Sequence, residues 1–428
     1  MDTSAHVQPR RYLTHDIPGL GGVIKQRPED FLVDEMPAYQ PSGQGEHIYL
    51  CVQKKSLSTF DAVDVLARHF RVPREAVGFA GLKDKHALTR QVFSIHTPGR
   101  GPDDFPMLQH EQMGVLWVDR HNNKLRRGHL KGNRFSIRIR GVNPAAVVQA
   151  SKVLKILHAK GVPNRVGEQR FGLLGNNHLI GRAILMGNHQ EACDILLGPS
   201  ASHPTVNAEA RAFYAEGKFI EARDALPNGA RAEQRALYRL SQGALPKNAI
   251  LGLDERLLSF YFSATQSAIY NATLDQRLES GTFGTLEAGD IAMKLENRAT
   301  FEVDEATASD PSTQQRIDSF EISPTGPFWG TDMRRAKGSA DEKELAVLSS
   351  FGLTPESFAT APKRLLDMLE GERRPMRVPL IDPEIEGGVD EHGGYVRCAF
   401  ELPRGCFATV VMREIMKPAS DLAEEDES

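Results

Sequence analysis

One carboxylate stands out for its surroundings. In GFAGLKDKHALTRQVFS, residues 78 to 94, Asp84 is flanked by Lys83, Lys85 and His86, and two glycines precede it. Nearby positive charge favours an ionised carboxylate, and an anion can serve as a base or a nucleophile. No second acid lies in the stretch, so the residues do not by themselves make the carboxylate pair of a glycosidase. A solvated, salt-bridged aspartate in a surface turn fits the same residues.

The flanking patterns show what must carry this loop. In STFDAVDVLARHF (58–70) apolar side chains recur at Val63, Leu66, Ala67 and Phe70, with Ser58 or Thr59 placed to cap an amphipathic helix. QVFSIHT (91–97) and NRFSIRIRGV (133–142) alternate instead, the latter with Phe135, Ile137 and Ile139 on one face and Arg134, Ser136, Arg138 and Arg140 on the other. Asp84 therefore falls in a Gly-flanked connection between a helix and a strand, where rigid frames commonly carry reactive groups.

From about residue 165 the texture turns helical, as in AEARAFYAEGKFIEARDAL and LDERLLSFYFSATQSAIYNATLDQRL. GTLEAGDIAMKLE and ISPTGPFWG suggest short strands, and DEATASDPSTQQ reads as a loop. Strand character returns near GERRPMRVPL. GYVRCAFELPRG alternates Val396, Cys398, Phe400 and Leu402 against Tyr395, Arg397, Ala399 and Glu401, then turns into the helical CFATVVMREIM. The C-terminal segment is thus expected to complete the sheet of the first domain, with the middle of the chain inserted.

Composition sets the outer bounds. With 428 residues, 40% hydrophobic and 25% charged, the chain has room for two or three domains with real cores. No run of eighteen apolar residues occurs, and the first sixteen residues are polar, without the apolar centre of a secretory signal. A cytoplasmic protein without membrane spans is expected. Cys51, Cys193, Cys398 and Cys406 are scattered, and no paired-histidine motif occurs, which favours reduced thiols and no metal. The net charge is −4, yet the tail at 420–428 holds five acids and no base. Residues 120–140 hold eight Lys/Arg and no Asp/Glu, a local field suited to phosphates or simply a solvated basic face.

AGLKDKHALTRQ resembles the signature of the TruD family of pseudouridine synthases. RPEDFLVDE, LKGNRF, GVPNRVGEQRFG, SATQSAIYNATLDQRL, SPTGPFWG and FELPRGCFATVVMRE follow in that family's order and cover most of the chain. The resemblance implies an α+β fold. A catalytic domain with a mostly antiparallel, mixed sheet and flanking helices would be built from 1–164 and 373–428. An inserted α/β TRUD domain over 165–372 would form the second wall of an RNA cleft, and 1–16 and 418–428 would be flexible tails. It implies Asp84 as the catalytic residue, Phe31, Asn133, Phe135 and Phe407 at the target uridine, and Lys25 as partner of the aspartate. It also implies a tRNA substrate, modified at uridine 13 of the D arm, with no cofactor. The carboxylate could attack C1′ of the ribose, attack the uracil ring, or take a proton from C2′; all three remain open. Arg126, Arg127, Lys131, Arg138 and Arg140 are the candidates for neutralising RNA phosphates. A monomer is expected.

The chain departs from the family pattern at Arg165 and Val166, where an aromatic pair is common, and at Cys406, where serine is common. The segment 199–245 is longer and more helical than the family leads one to expect. Two other classes fit part of the pattern: a non-catalytic RNA-binding or RNA-folding protein that keeps the cleft, and a hydrolase using Asp84 with a second acid from elsewhere.

Overall fold

Period-two alternation builds the principal sheet. Its first six strands are β1 (Phe31–Pro37), β2 (His47–Lys55), β3 (Val77–Phe79), β4 (Leu88–His96), β5 (Met113–His121) and β6 (Leu130–Arg140), and the C-terminal hairpin Ile381–Asp390 and Gly393–Pro403 supplies two more. The spatial order is Ile381–Asp390, Gly393–Pro403, β6, β1, β4, β2, β5, with β3 also on β4. Only β1 and β4 run parallel. The computed structural model describes residues 11–200, 202–359 and 363–418. The chain divides into two compact units, one from Leu13–Val162 together with the segment from Val378, the other centred on Pro163–Arg377.

In the first unit, directly paired residues share a face, so the register fixes which side chains meet. Phe31, Val33 and Glu35 lie opposite Ile137, Phe135 and Asn133, and Phe135 and Ile137 lie opposite Phe400 and Cys398. This face is covered by α2 (Val147–Lys160) and the C-terminal helix Ala408–Met416, whose Leu154, Leu157, Val411 and Ile415 pack into its core. The β2–β4 half is covered by α1 (Thr59–Phe70), which buries Ala62, Val63, Leu66 and Phe70 on Leu50, Val52, Phe93 and Ile95. Ser58 caps α1 in a reciprocal box with Asp61.

The opposite face of the sheet is polar and balanced in charge. Arg134 pairs with Glu384 and Glu401, Arg138 with Asp390, and Arg397 with Glu386.

The second unit centres on the 25-residue helix Glu255–Glu279 and a four-stranded sheet. The sheet runs Glu372–Pro375, Ile322–Phe328, Ile291–Lys294, Thr300–Glu302. Between 199 and 245 lie the helices Ala208–Ala215, Phe219–Asp224 and Arg231–Ser241. Arg165 forms a buried ion pair with Asp275, and Val166 is buried beside it in sequence.

Two expectations fail. DEATASDPSTQQ is two short helices, Glu305–Ser309 and Pro311–Asp318, because Asp304 and Asp310 act as N-caps and Pro311 opens the second. Residues 11–16 are not a free tail, since Leu13 and Thr14 donate their backbone N–H groups to the Glu414 carboxylate at 2.9 and 3.1 Å. Residues 1–10 and 419–428 of the expected tails, including the acidic segment, lie outside the described residues.

Candidate active site

The sheet carries a gap beside β4. One edge of β4 is paired throughout by β2. The other edge is shared: β1 takes Leu88–Arg90 and β3 takes Phe93–Ile95. Gln91 and Val92 lie between the two partners, and the Glu35 carboxylate fills the gap by accepting from the Val92 N–H at 3.2 Å. The loop with Asp84 leaves β3 and returns to β4 across this gap.

The loop is fastened on both sides of Asp84. Lys83 places its ammonium 2.5 Å from Glu35, with the two side chains 4% and 1% exposed, and its backbone N–H donates to Thr59 Oγ1 at 3.0 Å. Gln91 donates to the Gly81 carbonyl at 2.6 Å and accepts from Thr59 Oγ1. Ala87 O accepts from the Ser56 N–H, and Ala80 O accepts from the Gly128 N–H. Such a frame fixes the backbone that bears the carboxylate while leaving the side chain accessible: Asp84 is 40% exposed.

Lys25 Nζ lies 3.2 Å from Asp84 Oδ2 and 5.0 Å from the centre of the Phe31 ring. Lys25 holds a left-handed backbone, φ 60°, a conformation uncommon outside glycine. The segment before it is set by the mutual backbone bonds of Val23 with Arg140. Phe31 and Phe135 meet edge to face with centres 6.5 Å apart, an arrangement favoured by the ring quadrupole. Both are members of the core beneath the sheet, so they form a floor. Asn133 is half-buried, and its Oδ1 is buried without a hydrogen-bond partner. Gly132 lies within the strand: a Cβ there would come 2.3 Å from the Leu402 carbonyl oxygen, so the glycine serves close strand pairing and not a turn.

Backbone bonds bring three segments side by side. Gly128 joins the Asp84 loop through Ala80, while Arg404 donates from Nη1 to Gly128 O at 2.9 Å and from its N–H to Lys131 O at 3.3 Å. This sets the exposed Arg126, Arg127 and Lys131 beside the turn that ends in Phe407, whose ring is 39% exposed and opens the C-terminal helix. Cys406 is half-buried.

Arg138 and Arg140 belong elsewhere. Arg140 is 2% exposed and pairs at 2.6 Å with both Asp30 and Asp390. Its hydrogen bond holds the Asp390 carboxyl down at about 2. Arg138 shares Asp390 at 3.4 Å. These guanidiniums tie β6 to the hairpin, and Arg140, buried between two carboxylates, is corrected from a phosphate candidate to a structural pair. Glu35, Lys83, Thr59, Gln91 and Arg404 were missed. Lys83 and Gln91 had a visible signal, their place in the stretch around Asp84; the others act through contacts far apart in sequence.

A carboxylate poised beside a lysine over an aromatic floor, on a clamped loop in a mixed sheet, defines an enzyme-like site without a metal cluster among the described residues. A family profile described as tRNA pseudouridine synthase D (TruD) matches residues 9–415. The tRNA pseudouridine synthase D of Geobacter metallireducens is 41% identical over 410 residues, covering 95% of this chain and 98% of that one. That of Geobacter sp. strain M21 is 42% identical over 408 residues, covering 95% and 99%. A solved structure from Methanosarcina mazei assigned to the same family superposes with a TM-score of 0.83 at 28% identity, covering 95% and 96%. The chain belongs to the tRNA pseudouridine synthase D family.

Proposed function

We propose that this chain isomerises uridine to pseudouridine in tRNA, at position 13 of the D arm, with Asp84 as the catalytic carboxylate. The isomerisation breaks the bond from ribose C1′ to uracil N1 and forms one from C1′ to C5, while C5 loses a proton and N1 gains one. It needs an anion at the sugar and a pocket that retains the free base. The observation that carries the reading is the accessible Asp84 carboxylate 3.2 Å from Lys25 on a loop held from both sides.

Lys25 would hold the Asp84 carboxylate directed through their 3.2 Å ion pair. The edges of Phe31 and Phe135 would bound the base. The buried Asn133 Oδ1 lacks a donor, and the imide N–H of uracil is one. A uridine stacked in an RNA arm cannot reach such a site, so the nucleotide would be flipped out. Arg126, Arg127 and Lys131 would hold phosphates, and Phe407 would supply a ring beside them.

The test is to incubate the protein and its Asp84→Asn variant with unmodified tRNA transcripts and map pseudouridine by carbodiimide labelling and primer extension. A stop at position 13 with the unaltered protein alone is expected. Salt-sensitive binding with no stop in any transcript would overturn the reading in favour of a non-catalytic RNA-binding protein, and released uracil would favour the hydrolase.

A further inference from the structure

The outer face of α1 carries a group of cations that the isomerisation itself does not use. Arg68, Arg71 and Arg74 surround a shallow depression at the end of the helix, with Asp64, Ala67, Val72 and Pro73 completing its lining. Asp64 pairs with Arg74 at 2.7 Å. Arg68 turns its Nε to the Asp64 carbonyl at 3.2 Å, and among the described residues no ion pair engages Arg68 or Arg71. Both are exposed.

The position of Arg71 is informative. It is the C-cap of α1 with φ 55°, in the left-handed region that glycine takes at lower cost. Attraction to the helix dipole accounts for a cation in the last turn. It does not account for the rest of the patch, which continues away from the helix end. Lys124 donates to the Glu75 carbonyl just past Arg74. Arg127 stacks 5.5 Å from the Phe79 ring, and Phe79 meets Phe60 edge to face at 6.0 Å. Phe60 is 46% exposed on the first turn of α1.

From Arg127, beside the Asp84 loop, the surface therefore runs across the half-buried Phe79 and the exposed Phe60 and on along α1 to Arg68 and Arg71. Helix α1 starts at Thr59, which touches Lys83, so Arg68 and Arg71 stand roughly 14 and 18 Å along its axis from that end. The polar face of the sheet offers no comparable path, because its arginines are already matched by carboxylates.

We infer that the outer face of α1 is a second phosphate track, on which Arg68 and Arg71 hold the RNA backbone at a distance from the reacting uridine. The inference rests on the tRNA reading above. Guanidiniums suit phosphate through their planar forks, and such contacts position an RNA without reading its sequence.

The test compares the unaltered protein with an Arg68→Ala/Arg71→Ala double variant and an Arg68→Lys/Arg71→Lys variant. Binding of an unmodified tRNA transcript is titrated between about 50 and 200 mM salt, the range over which phosphate contacts weaken steeply. The single-turnover rate is measured at saturating enzyme. The alanine variant is expected to bind roughly tenfold more weakly at the low-salt end, with a log–log salt slope shallower by about 1.5 for two lost phosphates. Its saturated rate should be unchanged, and the lysine variant should recover most of the affinity.

An alanine variant with unaltered affinity and slope overturns the inference alone. A lowered saturated rate with an unaltered slope also overturns it, as the sign of a structural role. If the unaltered protein does not bind the transcript, the tRNA reading fails and takes the inference with it.

Discussion

On the proposed reading Asp84 acts only as well as its neighbour Lys83 is held, and the Lys83 ammonium is held by one buried carboxylate. Removing one member of a buried pair leaves an uncompensated charge, at a typical cost of about 3–5 kcal/mol. Glu35→Gln is therefore expected to lower stability by that order and to reduce kcat more than KM, because the loop geometry is disturbed while the proposed phosphate contacts stay. Urea unfolding and steady-state kinetics on tRNA check both. The double variant Glu35→Gln/Lys83→Met should recover stability, since no buried charge remains, without recovering kcat. A double variant with full activity would show that the pair stabilises the fold and does not position Asp84. Asp84 itself stood out in the sequence because its neighbours are adjacent in the chain. Glu35 did not, since only the switch of β4 from partner β1 to partner β3 brings it within reach of Lys83.

At the scale of elements, strong periodicity was the legible part. The helix at 58–70 and the strands around 91–97 and 133–142 stand at those places, with ends shifted by a few residues. Local chemistry that serves two purposes was harder to read: Asp304 and Asp310 cap helices where a loop was expected. The arginines of β6 likewise had the right alternation, but the acids that occupy them come from the paired hairpin and from Asp30, all distant in the chain. The junction of β2 with α1 holds a further group that no local pattern marks. Lys54 is 1% exposed and donates to the Leu57 carbonyl at 2.6 Å. Burial, aided by Lys83 and opposed by Asp84, lowers its pKa to about 8. The unfolded chain keeps that proton up to about 10.4, so between those values it binds more protons than the folded one and stability rises with pH. Relative to Lys54→Met, the protein should gain on the order of 2–3 kcal/mol from pH 7 to about pH 10.5. Chemical denaturation of both proteins across that range measures it, and parallel curves would show that Lys54 stays charged in the fold.

At the scale of the whole molecule, the segment from Leu13 to Val162 and the segment from Val378 onward meet in one unit. The strand Gly393–Pro403 lies along β6 from Tyr395 opposite Arg140 to Pro403 opposite Gly132. Val396, Phe400 and Leu402 of that strand and Val411, Met412 and Ile415 of the helix after it are fully buried or nearly so. At about 1.5–3 kcal/mol for each large apolar side chain, these contribute roughly 9–18 kcal/mol as an upper estimate. That matches or exceeds the net stability of about 5–15 kcal/mol expected of a domain. A fragment spanning 13–162 therefore cannot hold its sheet: it would expose the apolar face of β6 along an unpaired edge, which favours aggregation. The segment 163–377 is continuous and keeps its own core around Phe262, Trp329 and Phe358. Expressed separately, it should be soluble and unfold cooperatively in urea, while 13–162 should be insoluble or lack near-ultraviolet circular dichroism. Mixing 13–162 with a peptide spanning 378–418 should restore that signal. A soluble, cooperatively folded 13–162 would show that the closing strand and helix are accessories to the first unit and not part of what folds it.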